Sequence, residues 1–381
     1  MSDSNRAPRR RFVDRLASAL VSRLTALPDR VQLLLSGGAP IVRDGHPLAP
    51  DVQLILASET RRNGSAVMDL SDPAVLRRQQ RNSASLAGGR PVKVGAVRDL
   101  VIDGGAGTIR ARHYAPALGD GAPLLVFLHG GGFVFGDLDT HDAPCRVLCR
   151  HGGMHVLAID YRLAPEHPFP AALDDARAAL RWAQAHAAEL GADPSRIGIG
   201  GDSAGANLSA AVSQLANADG GPAPICQMLI YPAVDRTRPY RSLELFDEGF
   251  FLTGASIRWF HEQYTGKTGV PMHDARIGPL NAASFAGLPP ALVVTAGFDP
   301  LRDEGEAYAA ALNAAGVTAV VRRFDSLVHG FFNMVGISPT CRDAVIEIAG
   351  ATRTLFAIAS SAAPRASAPG VRVHDTGARP S

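Results

Sequence analysis

The sequence of 381 residues has few cysteines and almost no net charge, and both shortages exclude classes of function. Its four cysteines are too few and too scattered for a disulfide scaffold, and the sequence contains no C-x-x-C pair, so we expect neither a zinc site nor a redox site. With 38 basic and 36 acidic residues, the net charge of +2 gives no electrostatic reason to bind nucleic acid or an anionic membrane.

Long hydrophobic runs are also lacking. No apolar run approaches the ~20 residues that a membrane span needs. The segment Arg10–Val13 faintly resembles a twin-arginine export signal, but Asp14, Arg15 and Arg23 interrupt the apolar region that should follow such a signal. We therefore expect a cytoplasmic protein without a membrane span.

From about Pro91 onward, short apolar runs alternate with helical patterns. Six runs predict strands: Leu124–Leu128, His155–Asp160, Arg196–Gly200, Ile225–Tyr231, Ala291–Ala296 and Val317–Phe324. They lack strict polar alternation, which is typical of strands buried on both faces of a parallel sheet. Because helical segments separate them, the pattern predicts a doubly wound α/β sheet. The more polar runs Val92–Leu100 and Thr108–Tyr114 predict an antiparallel hairpin at its edge.

Two further segments do not fit this core. Residues 1–90 show helical patterns, and residues 235–284 interrupt the sheet with an insertion rich in aromatic residues, which is uncommon for a mere loop. We expect both to form a helical cap above a core made of residues 91–234 and 285–361. Residues 362–381 are rich in Pro, Ala, Gly and Ser and predict a disordered tail.

A G-x-S-x-G motif, Gly201–Gly205, directly follows the strand-like run that ends at Gly200 and precedes a helical run. A tight turn of this kind lifts the hydroxyl of Ser203 clear of the sheet. It also places the hydroxyl at a helix N-terminus, whose free N–H groups favour developing negative charge. The motif also occurs by chance, and a serine that caps a helix is the alternative interpretation. The flanking strand and helix favour a nucleophile.

A second glycine-rich motif, HGGGF at residues 129–133, follows the predicted strand Leu124–Leu128. Three consecutive glycines expose backbone N–H groups, which is what a tetrahedral oxyanion requires. A flexible glycine turn is the alternative, but the position upstream of the serine turn favours an oxyanion hole. We expect its donors to be Gly131 and Gly132, joined by the N–H of Ala204 behind the nucleophile.

A serine hydroxyl is too weakly acidic to attack unaided, so a base and an acid that orients it are needed. Of the 12 histidines, His329 lies in the loop after the last predicted strand, where the nucleophile–acid–base order of α/β-hydrolases places the base. The acid should end the preceding strand, which favours Asp299. Asp303 and Glu304 are rivals, but they lie at the start of the following helical run, where acidic residues are ordinary.

Five motifs together resemble the hormone-sensitive lipase family, and within it the bacterial family IV carboxylesterases. They are HGGGF at 129–133, YRLAPEHPFP at 161–170, GDSAG at 201–205, DPLRD at 299–303 and VHGF at 328–331. The resemblance covers about residues 90–360. It implies an α/β-hydrolase fold with a mostly parallel eight-stranded sheet, flanking helices and a helical cap. It also implies the catalytic triad Ser203, Asp299 and His329, with no cofactor and no metal.

The function that the resemblance implies is that of a serine carboxylesterase, which hydrolyses short- to medium-chain acyl esters through an acyl-enzyme intermediate. We expect Phe133, Phe250 and Phe251 to bind the substrate. The expected binding partner is then a small-molecule ester. A homodimer is possible on this reading of the sequence. A non-catalytic receptor of the same fold should have lost a triad member, most tellingly the histidine, whereas all three positions are filled here. Hydrolysis of lactones or amides uses the same machinery and stays an alternative.

Overall fold

The computed structural model describes residues 18–63, 68–118 and 121–362. Its strands divide into a small pair and one large sheet. They are β1 (Val42–Arg43), β2 (His46–Pro47), β3 (Ala96–Gly104), β4 (Gly107–Ala115), β5 (Ala122–Leu128), β6 (His155–Asp160), β7 (Ala192–Asp202), β8 (Gln227–Ile230), β9 (Ala291–Phe298) and β10 (Ala319–Val328). The expectations for Arg10–Val13 and for a tail at residues 362–381 fall outside the described residues, apart from Ala362, which ends the last helix.

The large sheet has eight strands in the order β10-β9-β8-β7-β5-β6-β4-β3, and β1 pairs only with β2. All neighbouring strands from β10 to β6 are parallel. Strand β4 runs antiparallel to both β3 and β6. This confirms the predicted α/β-hydrolase sheet and its antiparallel edge hairpin. The hairpin begins at Ala96 rather than Val92, and β10 continues to Val328 rather than ending at Phe324.

The helices that connect and cover these strands are α1 (Asp29–Ser36), α2 (Pro50–Asn63), α3 (Pro73–Ala87), α4 (Asp142–Gly152), α5 (Ala171–His186), α6 (Ala204–Ala218), α7 (Arg241–Leu245), α8 (Gly254–Thr265), α9 (Arg302–Ala314) and α10 (Pro339–Ala362). Their ends follow ordinary capping chemistry. Asp72 accepts a hydrogen bond from the Ala74 N–H at the start of α3, and Thr253 caps α8 through the Ser256 N–H. At the end of α4, Gly153 adopts the left-handed conformation that stops a helix.

Side chains of β5 point alternately into two layers of helices. Leu125 and Phe127 pack in a cluster that includes residues of α4 and α10, whereas Leu124, Val126 and Leu128 pack with α5 and α6. All five side chains are fully buried. Burial of one such side chain contributes about 1.5–3 kcal/mol to folding. Because both faces of the sheet are covered, a polar site has to form beyond the carboxyl ends of the strands.

One helix among the described residues, at Pro339–Ser361, meets the length and composition of a membrane span. Buried core helices of globular proteins meet the same criteria. In this helix Cys341, Val345, Ile348 and Phe356 are buried in the cluster beside the sheet. The helix therefore serves as part of the core in this structure.

Two glycines allow α6 to begin directly against the sheet. The register places Gly201 of β7 opposite Leu128 of β5. A Cβ atom added at either Gly201 or Gly205 would overlap the carbonyl oxygen of Leu128. Since the obstructing atoms belong to the backbone, a side-chain rotation cannot relieve the overlap. The glycines therefore set how closely the strand-to-helix turn approaches β5.

We predict that Gly205→Ala destabilises the protein, because an inserted methyl group in a packed site costs about 1–3 kcal/mol and here meets backbone. Gly350→Ala is the matched control: Gly350 lies inside α10, and a Cβ atom there would meet no neighbouring segment within 4 Å. Alanine at this position should stabilise the helix by about 0.5–1 kcal/mol. Thermal unfolding followed by circular dichroism compares the two variants. A Gly205→Ala midpoint equal to that of the wild type would contradict the close packing.

Candidate active site

Three residues that are distant in the sequence meet at the carboxyl ends of the strands. Ser203 lies between β7 and α6, Asp299 follows β9, and His329 follows β10. His329 Nε2 lies 3.0 Å from Ser203 Oγ, and His329 Nδ1 lies 2.8 Å from Asp299 Oδ2. Because a carboxylate only accepts hydrogen bonds, Nδ1 carries the proton and Nε2 is free to accept one from the serine. The structure thus brings together the three predicted catalytic residues in a chain of hydrogen bonds.

The backbone of Ser203 is strained. Its φ of 54° and ψ of −116° lie outside the regions that non-glycine residues ordinarily adopt. The Ser203 N–H donates to the Ile230 carbonyl at the end of β8, and the Asn207 N–H donates to the Ser203 carbonyl. These bonds hold the turn in a sharp bend at the start of α6. The bend presents the hydroxyl group to the histidine, as a nucleophile turn requires.

The acid and the base are both buried. Asp299 is fully buried, and its Oδ1 accepts a hydrogen bond of 2.8 Å from the Leu301 N–H. The ring of Tyr231 packs against that of His329, with centroids 4.4 Å apart. Each oxygen of Asp299 therefore has a donor, and the imidazole is held between a carboxylate and an aromatic ring.

The two rival acids have other partners. Asp303 accepts hydrogen bonds from the Ser242 N–H and the Arg302 side chain. Glu304 is buried and accepts from the N–H groups of Val234 and Asp235. Both lie in the first turn of α9, at the helix start that the sequence predicted for them.

The glycine loop after β5 lies beside the nucleophile. Gly131 and Gly132 have positive φ angles of 121° and 59°. Within the part of the chain that the structure describes, neither residue donates a hydrogen bond through its amide. Both line the same cavity as Ser203 and Ala204. The loop therefore presents free N–H groups beside the nucleophile, where an oxyanion could accept hydrogen bonds from them.

A buried charge fixes this loop to the serine turn. Asp202, the residue before the nucleophile, accepts a hydrogen bond of 2.7 Å from the Gly130 N–H and lies 3.2 Å from His141 Nε2. Burial opposes ionisation of Asp202, but the attraction of His141 and the Gly130 N–H lower its pKa below the ordinary value. Burial also lowers the pKa of His129 to about 4, so that ring is neutral near pH 7. A buried carboxylate thus orients the loop.

Ser203 and His329 open into a cavity of about 660 Å³. Its walls come from the sheet ends and from both segments outside the core. Among the lining residues are Ile55 of α2, Ser83 and Ala87 of α3, and Leu252 and Phe260 of the 235–284 insertion. A Cβ atom at Gly132 would overlap the Phe260 ring, so the insertion lies directly against the glycine loop.

Comparisons with known proteins identify the family. A family model described as an alpha/beta hydrolase fold matches residues 125–333. Over 330 residues the chain is 49% identical to a carboxylic ester hydrolase of Mycobacterium tuberculosis, LipN, covering 85% of this chain and 88% of that protein. It is 36% identical to an ethyl acetate hydrolase of Pseudomonas putida, over 71% of this chain and 87% of the relative. A hyperthermophilic esterase of Pyrobaculum calidifontis superposes with a TM-score of 0.76 at 38% identity, over 81% and 99% of the two chains.

The chain belongs to the hormone-sensitive lipase family of α/β-hydrolases. It is a carboxylic ester hydrolase, as the five motifs predicted. The identity to the esterase of M. tuberculosis extends over 85% of the chain. The family model, at residues 125–333, spans the glycine loop and the positions of Ser203, Asp299 and His329.

The three phenylalanines expected to bind substrate in this esterase have different positions. Phe133 and Phe251 line the cavity. Phe250 does not: it is buried against Phe246 and Phe298, with ring centroids 5.6 and 5.2 Å away. The chain bends at these residues, with a φ of 65° at Phe251, so the two adjacent side chains point in different directions and a sequence cannot tell which of them faces a cavity. The structure corrects the expectation for Phe250, which packs in the core.

Two residues at the site of the esterase carried no signal in the sequence. His141 precedes α4 and reaches Asp202, and Arg236 follows β8 and faces the cavity. A lone histidine or arginine in a connecting segment is ordinary, and no local motif marks either position. Only the packing of distant segments brings them to the nucleophile.

We predict that Asp299→Asn lowers kcat by up to ~10⁴-fold, the size of loss that the wrong histidine tautomer causes in Ser-His-Asp enzymes. Asp303→Asn is the matched control, because it removes a nearby carboxylate that bonds Ser242 and Arg302 instead of the histidine. Hydrolysis of p-nitrophenyl butyrate measures both, with thermal midpoints recorded to exclude unfolding. A larger loss in Asp303→Asn than in Asp299→Asn would refute the assignment of the acid.

Proposed function

We propose that this esterase cleaves its substrates through an acyl-enzyme on Ser203, with His329 as the base and Asp299 as the acid that orients it. The observation that carries this proposal is the unbroken chain of hydrogen bonds from Ser203 Oγ through the imidazole to a buried carboxylate. His329 takes the hydroxyl proton as the oxygen attacks the ester carbonyl, and then gives it to the leaving alcohol. Water activated by the same histidine hydrolyses the acyl-enzyme.

The tetrahedral intermediates need donors for their negative oxygen, and we propose the N–H groups of Gly131, Gly132 and Ala204 for this role. Support comes from the free amides of the glycine loop, from its contact with Phe260 and from its anchor on Asp202. Donors fixed before the reaction need no reorganisation when charge develops, and each contributes roughly 10²–10³-fold in kcat. The start of α6 adds its dipole at Ala204.

We further propose that residues 1–90 and 235–284 act together as the cap that closes the cavity. Residues of α2 and α3 face the cavity from one segment, and Leu252 and Phe260 face it from the other. Core segments 91–234 and 285–361 carry the catalytic groups. An apolar cavity of limited size favours short- to medium-chain acyl groups, with Phe133 and Phe251 on its wall.

A cytoplasmic location and a homodimer are proposals as well. The location is supported by four buried, unpaired cysteines in the structure. The homodimer is supported by β10, an edge strand of the sheet on which Val320 and Val321 are about half exposed. Light scattering after size-exclusion chromatography distinguishes a monomer from a dimer.

Lactone or amide hydrolysis by the same groups is the alternative activity. It is tested by the same assays, with a lactone panel and p-nitroanilides beside the esters. A receptor without catalysis would show no turnover of any of them.

We predict that a p-nitrophenyl phosphonate labels Ser203 and abolishes esterase activity, because its phosphorus mimics the tetrahedral carbon that the serine attacks. Ser203→Ala should resist labelling, whereas Ser83→Ala, a change of another serine on the cavity wall, should still be labelled. Peptide mass mapping locates the adduct. An adduct on another residue with Ser203 unmodified would overturn the assignment of the nucleophile.

We predict an acyl-chain optimum between butyrate and hexanoate. Each methylene that fits the cavity contributes ~0.8 kcal/mol, whereas one that meets the wall costs about 1–3 kcal/mol. Phe251→Ala should move the optimum to longer chains, since it enlarges the cavity. Phe250→Ala is the matched control: it should reduce stability by about 3–5 kcal/mol without moving the optimum.

The measurement is kcat/KM over a series of p-nitrophenyl esters for the wild type and both variants. An optimum at dodecanoate or longer in the wild type would refute the short pocket. An equal shift of the optimum in both variants would refute the assignment of Phe251 to the wall.

A further inference from the structure

Arg236 is a charged group in the cavity wall that the proposed catalytic steps do not use. It lies in the loop after β8 and lines the same cavity as Ser203 and His329. Its side chain is half-buried, and its Nε is buried without a hydrogen-bond partner. No acceptor among the described residues binds the guanidinium or lies within ion-pair distance of it. A guanidinium stays protonated at neutral pH even where burial lowers its pKa, as it does here.

The neighbouring carboxylates do not neutralise this charge. Asp235 accepts hydrogen bonds from the side chains of Thr237, Arg238 and Tyr240. Glu304 lies near Arg236, but burial raises the pKa of Glu304 to about 8, despite its bonds to backbone N–H groups. At pH 7 the Glu304 carboxyl group is therefore mostly protonated. Neither carboxyl group forms a hydrogen bond or an ion pair with Arg236 among the described residues.

Two neighbours of Arg236, His261 and Tyr264, are neutral near pH 7. Burial, with added repulsion from Arg236, lowers the pKa of His261 to about 4. Burial raises the pKa of Tyr264, whose hydroxyl is buried without a partner. The guanidinium lies 5.9 Å from the centre of the Phe133 ring, which stacks on Tyr264. The guanidinium of Arg236 therefore lies against an aromatic ring, and the nearest carboxylates are bonded to other groups.

The loop that carries Arg236 is fixed relative to the nucleophile. Asn207, in the first turn of α6, donates through its side chain to the Ala233 carbonyl at 2.6 Å. The backbone N–H of Asn207 donates to the Ser203 carbonyl. On the other side, the Glu304 carboxyl group holds the N–H of Val234. The backbone that leads into Arg236 is thus anchored to the helix that begins at the nucleophile, which limits the loop motion to be lost when a substrate binds.

We propose that Arg236 forms a carboxylate subsite in the catalytic cavity, so that the esterase takes esters that carry a carboxylate besides the ester bond. The planar fork of a guanidinium matches a carboxylate through two parallel hydrogen bonds. An enclosed apolar wall strengthens this attraction relative to water. The inference rests on the proposed role of Ser203 in the same cavity, and it narrows the substrate class to anionic esters.

The test compares two substrates of equal shape and different charge. One is mono-p-nitrophenyl adipate, whose acyl chain ends in a carboxylate, and the other is p-nitrophenyl isooctanoate, whose chain ends in an isopropyl group. The ratio of their kcat/KM values does not depend on the fraction of enzyme that is folded. In Arg236→Gln this ratio should fall by about 10- to 100-fold, as expected for the loss of a hydrogen bond between charged groups. Arg236→Lys, which keeps the charge, should retain part of the preference.

Arg258→Gln is the matched control, because Arg258 borders the same cavity but is exposed on α8. In Arg258→Gln the ratio of kcat/KM for the anionic ester to that for the neutral ester should stay close to the wild-type value, since solvent screens an exposed charge. The butyrate ester of para-hydroxybenzoate, compared with that of para-cresol, places the carboxylate on the alcohol side. A response to Arg236→Gln in only one of the two substrate pairs shows which side of the ester faces the subsite.

Equal ratios in the wild type and Arg236→Gln for both substrate pairs would overturn the proposal. An equal fall of the ratio in Arg258→Gln would also overturn it, because the preference would then reflect the overall positive potential of the cavity and not a specific contact with Arg236. Thermal midpoints provide a second measurement: an unpaired buried charge opposes folding, so Arg236→Met should not lower the midpoint. A lower midpoint with unchanged ratios would indicate a packing role. Failure of the proposed catalytic function is distinguishable, since Ser203→Ala would then still cleave the neutral ester.

Discussion

The close approach of β7 and the start of α6 to the end of β5 is the constraint on which the site depends. With no side chain at Gly201 and Gly205, the Leu128 carbonyl can lie directly against the serine turn. This contact places the glycine loop, which leaves β5 immediately after Leu128, next to the nucleophile. Asp202 then joins the two segments through the Gly130 N–H. One backbone contact therefore positions both the attacking oxygen and the amides that would receive the developing charge.

The two buried carboxylates beside the nucleophile are held in place by their hydrogen-bond partners. Both oxygens of Asp299 have donors, and Asp202 has partners from the glycine loop and from His141. Buried carboxylates with complete sets of partners hold their neighbours in one geometry, because any other arrangement leaves a charge without a partner. Arg236 is the contrast, since its buried Nε has no partner. At the catalytic site the two orienting carboxylates have partners, whereas the Nε of Arg236, a residue of the cavity wall, has none among the described residues.

The sequence predicted the sheet and the three residues that meet at its edge, because both depend on local patterns. Apolar runs buried on two faces, a serine turn after a strand, and an acid and a histidine after later strands all leave marks within a few residues. It could not separate Phe251 from Phe250, because adjacent residues of one type differ only in the side to which they point. It could not find His141 or Arg236 either, since their surroundings are built by segments from other parts of the chain. Strand limits were off by a few residues where polar side chains continue an edge strand, as in β10.

The cavity wall is shared by α2 and α3, near one end of the described chain, and by Leu252 and Phe260 of the insertion between β8 and β9. A molecule that filled the cavity would touch both segments at once, although about 150 or more residues separate them in the sequence. Binding is therefore linked to the local folding of the amino-terminal helices. A ligand in the cavity raises the free energy needed to detach these helices from the core, and the increase grows with the logarithm of the ligand concentration. The amino-terminal helices should therefore be cleaved more slowly by proteases when more substrate is present.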